Sequence, residues 1–437
     1  MQGTALAWEI YERTHDPLAL GYVGLARALP VLVLALPAGQ LVDLLDRRKV
    51  LIGTQIAFAA ASVALTLGSF YQVSIWWMYI LVALTGCARV FNGPTRASLL
   101  PHIVLPRNFH NAVTWNSGVF QFSATSGPLI AGTLLWWWGV AWPVYAIAGA
   151  SCIVFGYFCS FIRPYPRQER HTSLAVGIDA LRPGILLRGM LAGAAHVWRE
   201  KTVFGAIALD LFAVLLGGAT ALMPVFAKDI LNVGPVGLGA LKSAPYVGAL
   251  IMAFVIAHRP PMRRAGPALL WSVAGFGLCT ILFGISKSFI LSLSALVLLG
   301  ALDNISVVVR HVLVAVRTPD ALRGRVSAVN SVFIESSNEL GGFESGLVAR
   351  IFTPVISVVS GGIGTILVVL VMTWCLPELR RLRRLEEPTD AGAFCRNCRY
   401  DLAGNTSGIC PECGTPTTLS AQAEQDAEEV SSLSTDA

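Results

Sequence analysis

The chain has 437 residues, 54% of them hydrophobic and only 13% charged, with a formal net charge of +6. Soluble domains carry about 25% charged residues, and a soluble chain of this length would form two or three domains with too little charge to cover them. A soluble enzyme, a secreted disulfide scaffold and a nucleic-acid binder with a basic face are excluded, which leaves a polytopic membrane protein.

A span needs roughly 20 apolar residues. In chain order such stretches read at 1–12 (short), 20–42, 50–69, 75–92, 109–135, 142–162, 203–226, 237–257, 267–285, 289–313, 326–350 and 356–376. They are too long and unalternating for a transmembrane barrel. The expected fold is an all-α polytopic membrane protein of about twelve spans, with one six-helix half over 1–162 and a second over 203–377. A connection, 163–202, joins the halves. After them come a linker (378–393), a zinc-ribbon module (394–414) and an acidic tail (415–437) that has no Lys or Arg and is expected to be disordered.

Lys and Arg sort between alternate connections. One face collects Arg47, Arg48 and Lys49; Arg96 and Arg107; the bases of 163–202; Arg259, Arg263 and Arg264; Arg317, Arg323 and Arg325; and Arg380, Arg381, Arg383 and Arg384. The other holds only Arg13, Lys228, Lys287 and Arg350. The positive-inside rule assigns the rich face and the C-terminus to the cytoplasm of a cell or inner membrane. Trp136, Trp137, Trp138 and Trp142 sit at the sparse face, as an interfacial aromatic belt does.

The halves repeat. Gly24-Leu-Ala-Arg27-Ala-Leu-Pro30 matches Gly239-Ala-Leu-Lys242-Ser-Ala-Pro245, and Asn116-Ser117 matches Asn330-Ser331, both at an offset of about 215 residues, which also sets Gly127 on Gly341. Two similar halves joined by a long loop form the layout of a transporter that rocks about a midplane site. By the same offset the first span lacks roughly its first turns. A start codon set too far downstream and a genuinely short first helix are the two explanations, and no signal peptide is present.

Gly39-Gln-Leu-Val-Asp43-Leu-Leu-Asp46-Arg47-Arg48-Lys49 resembles the loop motif of the major facilitator superfamily, with Leu44 in place of its first base and Asp46 in place of its glycine. Ser126-Gly127-Pro128, followed by Gly132, resembles the Gly-Pro motif of that superfamily's antiporters. Gly300-Ala-Leu-Asp303-Asn-Ile-Ser306, Arg310, the run from Thr318 to Val326, Asn338-Glu339-Leu-Gly341 and Asp210 resemble the branch that contains the enterobactin exporter. The resemblance covers about residues 1–380. It implies secondary active transport, efflux in that branch, and a gating role for Gly39, Asp43, Arg47 and Arg48, whose charges brace two helices. A topogenic basic loop is the other reading. For Gly127, Pro128 and Gly132 the choice lies between a bending gate helix and ordinary close packing.

Charges inside the apolar stretches are Arg27, Arg89, Asp210, Lys242, Asp303, Arg310, Glu335, Glu339 and Glu344. Each costs a few kcal/mol at the bilayer centre, so a functional or paired role is the default. Arg89 and Glu344 are near span ends, where snorkelling suffices. Arg27 and Lys242, at matched repeat positions, are expected to face each other across a central cleft, and either to favour an anionic or carbonyl-rich substrate or to pair with Asp210 and Glu339. Asp210 and Glu339 are the candidate proton carriers, with Asp303 and Arg310 in the same translocation set; a static helix–helix ion pair is the alternative. No nucleotide loop of the Gly-x4-Gly-Lys type and no hydrolase constellation is present, so neither an ATP engine nor an enzyme is expected.

Cys395-Arg-Asn-Cys398 and Cys410-Pro-Glu-Cys413-Gly414 supply four thiolates at zinc-ribbon spacing. In a reducing cytosol, zinc is favoured over a disulfide. With no open ligand position the site is structural, and a cytosolic protein is its expected partner. Three functions remain: proton-coupled efflux of a small amphipathic or siderophore-like molecule, a non-transporting sensor that presents the zinc ribbon, and a lipid flippase.

Overall fold

A computed structural model describes residues 1–162, 194–259, 262, 264–382, 395, 398 and 409–415. The expectations for 163–193, for the linker beyond Leu382 and for the acidic tail fall outside the described residues. The chain divides into two compact units, Met1–Arg383 and Arg384–Ala437.

The first half comprises α1 (Gln2–Thr14), α2 (Pro17–Leu44), α3 (Arg47–Phe70), α4 (Ile75–Ile103), α5 (Phe109–Trp138) and α6 (Trp142–Ser160). Local chemistry sets the boundaries. His15 takes a left-handed conformation (φ 53°), Asp16 accepts from the Leu18 amide at 2.9 Å, and Pro17 opens α2. Asp46, at the loop motif's glycine position, caps α3 by accepting from the amides of Arg48 (3.0 Å) and Lys49 (3.4 Å).

The second half comprises α7 (Lys201–Leu216), α8 (Gly234–Ala257), α9 (Ala265–Ile285), α10 (Phe289–Arg317), α11 (Asp320–Ile351) and α12 (Pro354–Cys375), followed by a short α13 (Pro377–Arg381). The expected seventh span is not one helix. It breaks after Leu216 and continues as a 3-10 turn over Ala219–Leu222, a single α turn over Met223–Val225 and a π turn over Phe226–Ile230. Gly217 and Gly218 form the break. A Cβ on Gly218 would lie 2.4 Å from the Gly341 carbonyl oxygen of α11, so only glycine permits this approach.

Nine helical segments among the described residues are long and apolar enough to cross a membrane. Helices α5 and α11 are longer than most of these, at 30 and 32 residues, but too polar to join them. On α11, Glu335, Asn338 and Glu339 line a cavity between the halves. The many exposed Trp, Phe, Leu and Ile side chains, Trp137, Trp271, Ile290 and Trp374 among them, make up the surface that lipid covers.

The two halves are built alike. Helix α3 packs on α6 as α9 packs on α12, and across the molecule α2 packs along α11 as α8 packs along α5. The repeat glycines hold these crossings. A Cβ on Gly24 would meet the Glu339 carbonyl oxygen at 2.4 Å, and one on Gly132 would meet the Pro235 carbonyl oxygen at 2.4 Å and Gly239 at 3.1 Å. Small residues let helix backbones approach where lipid supplies no hydrophobic drive. Gly132→Ala should therefore cost about 1–3 kcal/mol, measured as a lower melting temperature of the detergent-solubilised protein.

Candidate translocation cavity and metal cluster

Where the halves meet, a cavity of about 590 Å³ is lined by α1, α2, α4, α5, the broken end of the seventh span, α8 and α11. A volume of this size suits one small molecule. Its charged lining is Arg27 (α2), Arg89 (α4), Lys242 (α8), Glu335 and Glu339 (α11), with Tyr246 and Asn338 as further polar groups. A second cavity of about 300 Å³ shares Arg27, Arg89, Glu335 and Glu339 with it. The matched residues Arg27 and Lys242 thus line one cavity, and Glu339 stands with them. Arg89 does not snorkel to an interface; it lines both cavities, because the arginine lies mid-helix on the inner face of α4.

Asp210 is elsewhere. Its carboxylate forms an ion pair with Arg310 of α10, and both side chains are almost fully buried. It borders a small separate cavity with Asp303, Ser272 and Ser306. The expected pairing of Asp210 with the cleft cations is therefore corrected: α7 packs against α10, α11 and α12, which turns Asp210 into the second half.

The sparsely charged face carries contacts that sequence reading missed. Lys228 donates to Glu12 at 2.8 Å, Arg350 to Asp16 at 2.9 Å, and the Tyr11 hydroxyl to Asp229. All three join the first half to the second. Below them Glu9 is buried on α1, ion-paired with Arg13 and accepting from Ser69 and Tyr145 at 2.7 Å each. These three contacts clamp the halves together at this face. The signal in the sequence was an excess of acids, Glu9, Glu12 and Asp16, in a segment otherwise read only as a short span.

Of the loop motif, Gly39 and Asp43 lie in the last turns of α2, and their side chains are outside the described residues. The Arg48 guanidinium donates to the Ser160 carbonyl at the C-terminal end of α6, where a helix end favours a cation. Gly127 and Pro128 sit within α5, and Pro128 lines the central cavity.

In the second unit the Sγ atoms of Cys395, Cys398, Cys410 and Cys413 all lie within 4.8 Å of one another, with the 395–413 pair at 3.4 Å and the 398–410 pair at 3.5 Å. Four sulfurs about 2.3 Å from a tetrahedral ion stand about 3.8 Å apart, so the set can hold a metal. Gly414 turns the second knuckle at φ +71°, and its amide donates to the Cys410 carbonyl at 2.9 Å. The Thr415 hydroxyl beside Cys413 holds that thiol down to about 6, which keeps a thiolate available at neutral pH.

Two six-helix halves around a charged central cavity are the architecture of a transporter of the major facilitator superfamily. The chain belongs to the transmembrane secretion effector family of that superfamily, whose family model matches residues 1–390. The enterobactin exporter EntS of Shigella boydii serotype 18 is 24% identical over 385 residues, 87% of this chain and 89% of that protein. EntS of Escherichia fergusonii matches to the same extent. Among solved structures, a mutant of the nucleoside transporter NupG aligns with a TM-score of 0.64 at 14% identity, covering 85% of this chain and 94% of that one. The inward-open xylose transporter XylE from E. coli aligns at 0.62 and 13%, covering 86% and 93%. These relatives are transporters, and this chain is a multi-pass membrane transporter of a small molecule.

Proposed function

We propose that the protein exports an anionic, carbonyl-rich small molecule from the cytoplasm across the inner membrane in exchange for protons. The observation that carries this reading is the central cavity, in which Arg27, Arg89 and Lys242 outnumber Glu335 and Glu339. A net cationic wall in a low-dielectric interior favours an anion or a cluster of carbonyl oxygens. Export is favoured by the EntS relatives, and a siderophore-like cargo is the class that their name suggests. Glu339 is the proton carrier in the cavity: gaining or losing its proton changes by one the charge set against Arg27, Arg89 and Lys242.

The basic face, and with it the C-terminus, is cytoplasmic by the positive-inside rule. The clamp of Glu12–Lys228, Asp16–Arg350 and Tyr11–Asp229 then closes the outer side, and the state described is the one that loads from the cytoplasm. Asp43, Arg47 and Arg48 brace the opposite, outward-open state. Gly127-Pro128 lets α5 bend between the two. The four cysteines hold a structural zinc ion, which ties 394–414 into a ribbon that docks a cytosolic protein.

Inside-out vesicles test the transport reading. An imposed proton gradient should drive uptake of catecholate or carboxylate compounds and leave cations behind; uptake that ignores the gradient overturns proton exchange. The outer clamp has its own test. In a Glu12→Cys/Lys228→Cys protein, cross-linking should reduce transport at least about tenfold, since a pair held shut removes one of the two states that alternating access needs, and reduction should restore it. Full activity of the cross-linked protein would show that the two residues do not part during the cycle.

A further inference from the structure

The small cavity inside the second half holds more than the Asp210–Arg310 pair. About 10 Å³ of space, enough for one water-sized particle, is lined by Asp210 on α7, Ser272, Val273 and Phe276 on α9, and Asp303 and Ser306 on α10. Asp210 is 5% exposed and its charge is met by Arg310. Asp303 has no ion-pair partner among the described residues, so the cluster of two carboxylates and one guanidinium keeps one net negative charge. Ser306 is 2% exposed, and its hydroxyl, on the wall of this cavity, has no hydrogen-bond partner among the described residues. Ser272 is equally buried; it donates to the Leu269 carbonyl at 2.9 Å, which leaves its oxygen lone pairs free to face the cavity.

We infer that this cavity is a sodium site: a single dehydrated monovalent cation bound by the carboxylates of Asp303 and Asp210 and the hydroxyls of Ser306 and Ser272. The chemistry is selective in three ways. All four ligands are hard oxygen donors, the class that binds alkali and alkaline-earth ions rather than softer metals. A residual charge of one balances a monovalent ion and would leave a divalent one with an uncompensated positive charge. A water-sized space admits a single dehydrated alkali ion and excludes organic cations. A buried hydroxyl without a partner costs free energy, and a bound ion supplies the missing interaction for Ser306.

The site is separate from the substrate cavity, whose charged residues are Arg27, Arg89, Lys242, Glu335 and Glu339. Charged groups facing Asp303 are Asp210 from α7 and Arg310 from its own helix; α9 contributes no charged side chain, and Lys242 of α8 and Glu335 and Glu339 of α11 line the larger cavity. The inference does not depend on the export reading, because binding is measured on the purified protein without transport.

Equilibrium binding of radioactive sodium to the full-length detergent-solubilised protein at pH 8 tests it. One sodium per chain is expected, competed by unlabelled sodium but not by choline, absent in Asp303→Asn and weakened about tenfold or more in Ser306→Ala. Ser306→Ala keeps every charge, so it serves if Asp303→Asn does not fold. Binding should also fall as pH is lowered and protons compete for Asp303. Absence of saturable sodium binding, equal binding by wild type and Ser306→Ala, or proton uptake by Asp303 without any sodium binding would each overturn the assignment.

Discussion

Glu339→Gln should abolish proton-driven transport, by at least about a hundredfold in initial rate, while the protein still inserts, folds and binds its cargo. Glutamine keeps the shape and hydrogen-bonding of a protonated glutamate but can never release the proton. Glu339 lines the cavity with Arg27, Arg89 and Lys242, so the variant fixes one carboxylate in its neutral form beside three cations. Coupling should vanish, because each transport cycle must carry one proton through this group. A group in a membrane interior is charged only at a cost of a few kcal/mol, and that cost is what makes the proton's arrival and departure able to bias the two states. The measurement is uptake into inside-out vesicles across a pH series, beside cargo binding to the solubilised protein. Residual transport with an unchanged pH dependence would remove Glu339 from the proton path.

The second large effect concerns the metal. The purified full-length protein should contain one zinc per chain by mass spectrometry of its metal content, and Cys410→Ser should contain none. Four thiolates account for roughly 10–16 kcal/mol of apparent binding free energy in structural zinc sites at neutral pH. A segment of some twenty residues buries too little apolar surface to fold without such a contribution. Loss of metal should expose 394–414 to protease while the helical unit remains intact, and a chain ending at Glu387 should still transport. Zinc retention should fall as pH is lowered, because protons compete with the ion for the four thiolates. A wild-type protein without stoichiometric metal would refute the assignment. Loss of transport in the truncated chain would show that the ribbon takes part in the cycle.

Much of the candidate site was legible because membrane burial makes charge conspicuous. Arg27, Lys242 and Glu339 stand out against apolar neighbours, and the repeat placed the first two at matching positions; the structure brings all three to one cavity. Arg89 was read as a snorkelling end residue because hydropathy measures distance along a helix and not the face a side chain occupies. Asp210 was assigned to the wrong cavity for the same reason: one residue of helix rotation is about 100°, enough to move it from the cleft to Arg310. The motif position Asp46 looked like a defect in a loop signature, and it caps α3.

Linear patterns alone determined the membrane class, the positions of the twelve helical stretches, the two-half organisation and the cysteine spacing. Each depends on local composition or on spacing along one chain, and both survive folding unchanged. The break in the seventh span, the outer clamp, the face on which Arg89 and Asp210 lie and the small cavity lined by Asp303 and Ser306 were decided only by tertiary structure. These depend on which helix approaches which, and by how much: Gly218 against Gly341, Glu12 opposite Lys228, Asp210 against Arg310. Partners some 100 to more than 200 residues apart meet through packing between helices, and no periodicity along the sequence records their rotation or register.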